Sequence, residues 1–400
     1  MKPIKYLKDK GIKHSLKVLY QYKIDLIIQR VMGVFLKDVP LQDIIMIESH
    51  NDFDCNGGAF YEYLLRNGYN KKYKIVWLLK NPSLKPDSLP QNVECVPLFK
   101  PSFKKDYFVW VAKFFTFDNT VISKRRKEQK AFYLSHGAGG LKATKGKIFV
   151  PDSIDYILLQ SESYAPIQAN QWSIRYPSKK ILTIGYPAHD ILTIPHKREI
   201  EKIADGKFKK VILWMPTFRK GIDNRNDSMV EQPLGIPLIN CIGEYKELND
   251  CLQKNDSLLI IKIHPMQNLK GLGIKTTSNI KVLTGKDVKR MDVDNYRLMS
   301  AVDALISDYS GAAYEFLQVN KPISYVLHDM EEYRLGFVID DLDELIAGAK
   351  IFSINDLKVF IEDVVNDIDG YAEKRMKVRN FIYKYNDTHN CERLAESMQL

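Results

Sequence analysis

The chain has 400 residues, 45% of them hydrophobic and 27% charged, and a net charge of +10. That length exceeds what one ordinary core supports, so two domains are expected, and the composition is that of a folded chain rather than a disordered tract. Five scattered cysteines (Cys55, Cys95, Cys241, Cys251, Cys391) without CxxC spacing give no disulfide framework and no zinc site, and no apolar run approaches the roughly 18 residues of a membrane span.

The first 40 residues hold nine Lys/Arg against Asp9, Asp25 and Asp38, interleaved with Ile4, Leu7, Ile12, Leu16, Leu26, Ile27, Val31 and Phe35. Lysines between helically spaced apolar residues suit an interfacial helix on an anionic lipid surface. The plain alternative is a basic helix packed on the domain. The N-terminus lacks the apolar core and cleavage site of a signal peptide, so the expected location is the cytoplasm, peripheral on the inner membrane face. A basic protein can also bind nucleic acid, but no helix-turn-helix, zinc finger or RNP-type motif occurs.

Short apolar runs then alternate with mixed segments. Strands are expected at Asp43–Glu48, Lys74–Leu79, Phe114–Phe117, Ala131–Leu134, Tyr156–Gln160 and Ile181–Thr183. A charged stretch at 197–210 precedes a second series: Val211–Met215, Leu258–Ile263, Lys281–Leu283, Ala304–Ser307 and Ile323–Val326. Helical segments such as Gly58–Asn67 and Ala312–Gln318 separate them, a βα alternation that predicts two parallel-sheet domains with helices on both faces. Residues 354–384 read as one or two closing helices with Val359, Phe360, Val364 and Val365 as the buried stripe. The expected division is a basic helical segment 1–38, domains at 39–196 and 197–385, and a tail or helix at 386–400.

In α/β proteins, chemistry gathers at the carboxyl ends of strands. Two runs end there in a histidine of different halves: Ala131–Ser135 leads into His136, and Leu258–Ile263 into His264-Pro265. A cleft between the domains is the expected site. His136 opens the loop His136-Gly137-Ala138-Gly139-Gly140-Leu141-Lys142, whose glycines expose amides and whose Lys142 favours a phosphate. A glycine-rich turn with a solvated lysine is the alternative. Histidine titrates near neutrality and can take a hydroxyl proton or donate to a phosphate oxygen. Past Val211–Trp214, Met215-Pro216-Thr217-Phe218-Arg219 offers a guanidinium suited to a diphosphate. Ser307-Asp308-Tyr309-Ser310-Gly311 leads from a strand into a helix, with Ser310 as N-cap and Asp308 set to position the loop or bind a hydroxyl. Asp329 to Arg334 carries paired acids, Glu331 and Glu332, that suit a polyol or ribose hydroxyl or simply face solvent. No HExxH occurs, and Asp292-Val293-Asp294 lies in a polar stretch, so no protein metal site is assigned; a divalent cation carried with a diphosphate is compatible with the loops.

These residues, taken in order over roughly 55–395, resemble the CDP-glycerol glycerophosphotransferases of teichoic acid and capsule synthesis. Tyr61-Glu62-Tyr63-Leu64 looks like the family's early helix, and Ser135-His136-Gly137 with Leu141-Lys142 like its His-Gly-Thr-Pro-Leu-Lys motif. Gly185-Tyr186-Pro187-Ala188-His189-Asp190, Met215-Pro216-Thr217-Phe218-Arg219, Lys262-Ile263-His264-Pro265, Ser307-Asp308-Tyr309-Ser310 and Glu331-Glu332-Tyr333-Arg334 with Gly336-Phe337 complete the series. The resemblance implies a GT-B-like pair of Rossmann-type domains, acceptor side first and CDP-donor side second. It implies transfer of a glycerol phosphate or other polyol phosphate from a CDP-activated donor to a lipid-linked, polyol-phosphate or polysaccharide hydroxyl, releasing CMP. By that carry-over His136 and His264 are catalytic. Gly137, Lys142, Thr217, Arg219, His264, Asp308, Ser310, Gly311 and Glu332 hold the donor, with Arg219 and the Asp308 loop on its diphosphate. The sequence departs from the family at Ala138-Gly139, Ala188-His189 and Gly311, which leaves the polyol and the acceptor open. A UDP-sugar glycosyltransferase of the same fold and a non-catalytic membrane-surface scaffold are the rival readings.

Overall fold

The computed structural model describes residues 12–137, 139–221 and 226–400; the first eleven residues of the basic segment lie outside the described residues. Seven strands form the first sheet: β1 (Gln42–Glu48), β2 (Lys74–Leu79), β3 (Val93–Pro97), β4 (Ala112–Phe117), β5 (Lys130–Tyr133), β6 (Tyr156–Leu158) and β7 (Ile181–Leu182). Six form the second: β8 (Lys210–Trp214), β9 (Ser257–Lys262), β10 (Ile280–Leu283), β11 (Ala304–Ser307), β12 (Ile323–Val326) and β13 (Ala349–Ile351). Every strand pairing is parallel. The reason is visible in β1 and β2: Ile44 to Glu48 and Ile75 to Leu79 are buried on both faces, as only a helix-covered parallel sheet demands.

The sheet orders are β3-β2-β1-β4-β5-β6-β7 and β10-β9-β8-β11-β12-β13. Both run outward from a first strand that has the second on one side and the fourth on the other. Each sheet therefore has a switch point, between β1 and β4 in one and between β8 and β11 in the other, where crossovers leave in opposite directions and open a crevice at the carboxyl ends. β3 and β13, absent from the sequence reading, are edge strands whose apolar positions are interrupted by Glu94 and Lys350.

One core cluster is shared by the two domains, joining Ile45, Leu134 and Leu158 of the first to Leu213, Tyr309 and Tyr314 of the second. The chain also returns. After the helix Ala372–Ile382, the Lys384 amide donates to the Gln160 carbonyl (3.2 Å) and Ser161 Oγ to the Phe381 carbonyl (2.8 Å). The closing helix Asn390–Met398 packs on the helix Cys55–Arg66 of the first domain. Its first amides, from Asn390 and Cys391, donate to the Asp190 carboxylate at 2.9 Å. In the helix Ile354–Val365 the buried stripe is Leu357, Phe360, Ile361, Val364 and Val365; Val359, expected inside, faces solvent because it lies between the i, i+3, i+4 and i+7 positions that meet the sheet.

The helix Ile12–Leu36 is docked by a narrow, mostly polar face. Asp25 accepts from Lys105 (2.5 Å), Gln29 donates to Asp106 (2.8 Å) and its carbonyl accepts from Trp110 Nε1 (2.9 Å), and Gly33 lies flat against the Trp110 ring. These positions recur at i, i+4 and i+8. The opposite face exposes Ile27, Val31, Val34 and Phe35, with Leu16 and Ile12 further along.

Candidate active site

At the first switch point β1 ends in Glu48, which is fully buried. Its carboxylate accepts the main-chain amides of Asp118 and Asn119 (2.9 Å each) and Thr120 (3.0 Å), and pairs with Lys80 at 2.6 Å. Burial raises its pKa and Lys80 works against this. Asp118, after β4, is equally buried and accepts the Gly57 amide at the start of the helix Cys55–Arg66 (2.9 and 3.1 Å). Burial, reinforced by the nearby Glu48 charge, holds its pKa well above the usual carboxylate range. Lys80 also donates to the carbonyl of His50 (2.9 Å).

This framework carries two stacked histidines. The rings of His50 and His136 lie 4.6 Å apart and 11° from parallel. Asn56 shapes the approach to His136: its side-chain amide donates to the carbonyls of Leu134 (3.2 Å) and Ser135 (2.8 Å) and accepts from the Ala188 amide (2.9 Å). Ser135 itself turns through φ +64° and donates its hydroxyl to the Gly137 carbonyl (3.1 Å). His136 is exposed at the cleft edge, yet the crowding of its ring, joined by the repulsion of His50, pulls its pKa down to about 4, against a hydrogen bond to the Asp118 backbone. His50 is also lowered, by burial and then by Lys80. Both rings are therefore neutral at physiological pH, the form that accepts a proton.

The glycine loop docks on the second domain. The Lys142 amide donates to the Tyr309 carbonyl (3.3 Å), Ala143 to Gly336 (2.9 Å) and Val338 to Leu141 (2.9 Å). Gly140 and Gly311 meet backbone to backbone: a Cβ on Gly311 would come within 2.2 Å of the Gly139 carbonyl, and one on Gly140 within 2.7 Å of the Gly311 nitrogen. Gly137 lies beside Glu315, and Glu315 bonds His189 at 2.5 Å, so the departure Ala188-His189 is an interdomain contact. Ser310 caps the helix Gly311–Phe316 as expected, accepting from the Ala312 amide at 3.3 Å.

At the second switch point the arrangement differs from the expected diphosphate clamp. Arg219 is 1% exposed. Its Nε and Nη2 donate to Asp329 (2.6 and 2.9 Å), and Nη1 donates to Asp308 (2.9 Å) and to the Thr217 carbonyl (2.8 Å). Thr217 donates its amide (2.9 Å) and hydroxyl (2.5 Å) to Asp308, Tyr309 donates to Asp329 (2.9 Å), and the rings of Tyr309 and Tyr333 flank the guanidinium at 5.1 and 5.4 Å. Burial opposes the arginine's charge, but Asp308 and Asp329 more than offset it and raise its pKa; Asp329, in turn, is held low by Arg219 despite its burial. Thr217, Arg219 and Asp308 thus form a closed knot that ties the β8, β11 and β12 loops together, and the guanidinium has no fork left for a diphosphate. Glu332 is exposed and makes no hydrogen bond to this knot.

His264 follows β9 and is half-buried, its ring 4.8 Å from Phe218. Its Nδ1 accepts the Met266 amide (3.1 Å), which leaves the proton of a neutral ring on Nε2, as a donor. Lys262, two residues earlier, is buried. Asp294 caps the helix Asn295–Ala301 by accepting from the Arg297 amide (2.8 Å), a structural use for that acid. Among the described residues no group of three or more His, Cys, Asp or Glu is placed to hold a metal. His50, Glu48, Lys80, Asn56 and Asp118 went unnoticed in the sequence; the signal available was a charged residue directly after each apolar run, at Glu48, Lys80 and Asp118.

A family model described as CDP-Glycerol:Poly(glycerophosphate) glycerophosphotransferase matches residues 34–399. The teichoic acid glycerol-phosphate primase of Bacillus subtilis is 27% identical over 377 residues, covering 87% of this chain and 90% of that protein. The teichoic acid ribitol-phosphate polymerase TarL of Staphylococcus aureus is 24% identical, over 88% of this chain and 61% of TarL. Among solved structures, the wall teichoic acid polymerase TagF superposes over 96% of both chains with a TM-score of 0.69 at 18% identity, a likeness of fold. With two Rossmann-ordered sheets, the shared interdomain core and a match over nearly its whole length, the chain belongs to the CDP-glycerol:poly(glycerophosphate) glycerophosphotransferase family, the GT-B-like phosphotransferases of teichoic acid synthesis.

Proposed function

We propose that the protein moves a polyol phosphate from a CDP-activated donor to a hydroxyl of a lipid-linked or polyol-phosphate acceptor and releases CMP. The observation that carries this is His136, stacked on His50 at the carboxyl edge of the first sheet, with His264 beyond β9 of the second, its Nδ1 engaged by the Met266 amide so that Nε2 of a neutral ring is a donor. The acceptor oxygen forms a bond to the β-phosphorus as the bridging P–O bond to CMP breaks, and His136 takes the hydroxyl proton. His264 donates to the phosphate oxygens, where charge grows in the transition state. Gly137, Lys142 and the Ser310–Gly311 turn border the same interdomain seam and frame the donor; Thr217, Arg219 and Asp308 hold the loops that shape it. His136→Ala is expected to lower turnover by about 10²–10⁴-fold while sparing CDP binding. Measuring CMP released from CDP-glycerol and CDP-ribitol with a membrane extract tests this; full turnover by the variant refutes the assignment.

The same reading places the enzyme on an anionic membrane surface. The outward stripe Ile27, Val31, Val34 and Phe35, with exposed Lys23, Arg30 and Lys37 beside it, supports this, because the docked face leaves the apolar one uncovered. Among the described residues no helix is long and apolar enough to cross a membrane. Replacing Val31, Val34 and Phe35 by Asp is expected to release the protein from anionic vesicles; undiminished binding refutes it.

A further inference from the structure

β9 alternates strictly. Leu259 and Ile261, followed by Ile263, enter the core cluster of the second domain alone, whereas Leu258 and Ile260 enter the cluster shared by both domains. Lys262 continues the second set, so its side chain points to the interdomain side. The residue is 7% exposed. Among the described residues no carboxylate lies within ion-pair distance of its ammonium; Asp294 exerts only a long-range attraction, its carboxylate being engaged with the Arg297 amide. A buried ammonium without a counter-ion is costly, and an anionic ligand that supplies the counter-charge relieves that cost.

We propose that Lys262 is the fixed cation of the donor site, meeting the diphosphate of the nucleotide-activated substrate beside His264. This rests on the reading of the cleft as a CDP-polyol site. It fills the role vacated by Arg219, whose guanidinium is closed off by Asp308 and Asp329. Burial lowers the lysine's pKa to about 8, which still leaves it protonated near neutral pH. Lysine serves here as a compact point charge beside the diphosphate, where it stabilises the negative charge that builds on the bridging oxygen as that oxygen departs with CMP.

The test uses the full-length protein, calorimetric titration with CDP and with UDP, and thermal melting without ligand. Lys262→Met keeps the stem and removes the charge. It is expected to melt no lower than the wild type, because an unpaired buried charge has been replaced by an apolar isostere, and to lose about 10–100-fold in CDP affinity. Lys262→Arg is expected to retain most of that affinity. A Lys262→Met protein that melts well below the wild type, or fails to fold, overturns the proposal, since the lysine then holds the fold; a folded variant that binds CDP like the wild type overturns it as well. If the wild type binds UDP and not CDP, and Lys262→Met loses UDP, the lysine assignment stands and the cytidine reading falls.

Discussion

Replacing Arg219 by alanine is expected to unfold the second domain early rather than to weaken donor binding selectively. The side chain is 1% exposed and makes four hydrogen bonds, three of them to Asp308 and Asp329, both fully buried. Its removal strands two carboxylates in the interior without a counter-charge. Breaking a buried ion pair in this way costs about 3–5 kcal/mol, which for a domain of this size is a fall in melting temperature of roughly 6–20 °C. Arg219→Lys restores one charge but cannot bridge both acids, and is expected to fall between. Asp329, held low by the arginine, adds a pH signature: its stabilising effect is present above the ordinary carboxylate pKa of about 3.9 and disappears as pH falls through the lower folded-state value. Scanning calorimetry of both variants, with CDP titration at a temperature where each is folded, is the assay. An Arg219→Ala protein that melts within about 2 °C of the wild type while losing nucleotide binding refutes the argument and returns the arginine to the ligand.

Further outcomes follow from the histidine pair and the glycine seam. Because His136 is lowered to about 4 and His50 is lowered too, the acidic limb of kcat/KM is expected well below the ordinary imidazole value of about 6.5, and stability is expected to decline as pH falls through that interval, where the unfolded chain binds protons that the fold refuses; a limb at 6.5 or above contradicts this. His50→Phe keeps an aromatic face on His136 but removes the repulsion, so its acidic limb is expected to move upward with the maximal rate largely kept, whereas His50→Ala is expected to lower the rate as the ring loses its support. Gly311→Ser places a Cβ within 2.2 Å of the Gly139 carbonyl and is expected to displace the glycine loop, destabilising the protein by about 1–3 kcal/mol and cutting turnover; unchanged turnover indicates that this seam is not part of the site.

Much of the scaffold was legible because a helix-covered parallel strand writes itself as an apolar run, and Lys74–Leu79, Ala304–Ser307 and Ile323–Val326 fall where those runs predict. Edge strands Val93–Pro97 and Ala349–Ile351 were not, since an edge needs no continuous apolar run. The site divides similarly. His136 and His264 were expected just beyond the ends of apolar runs, and the structure has them there, after β5 and β9. Arg219 was assigned to a ligand because a guanidinium past a strand end has the right chemistry, but its partners Asp308 and Asp329 lie 89 and 110 residues away and only the fold brings them together. His50 was missed for the same reason, its meaning residing in a ring 86 positions later in the chain.

The two switch-point crevices have one further consequence. In dinucleotide-binding sheets that gap admits the ligand. In this protein each gap already contains an anion of its own: Glu48 takes the three amides after β4, and Asp308 takes the amide and hydroxyl of Thr217. The protein wears an internal mimic of a phosphate in both places. Each crevice is thereby filled from within the fold, and the loops beyond the strand ends form the edge that remains. A scaffold filled in this way leaves its loops free to vary without disturbing either sheet, and relatives of this chain are named for glycerol phosphate and for ribitol phosphate.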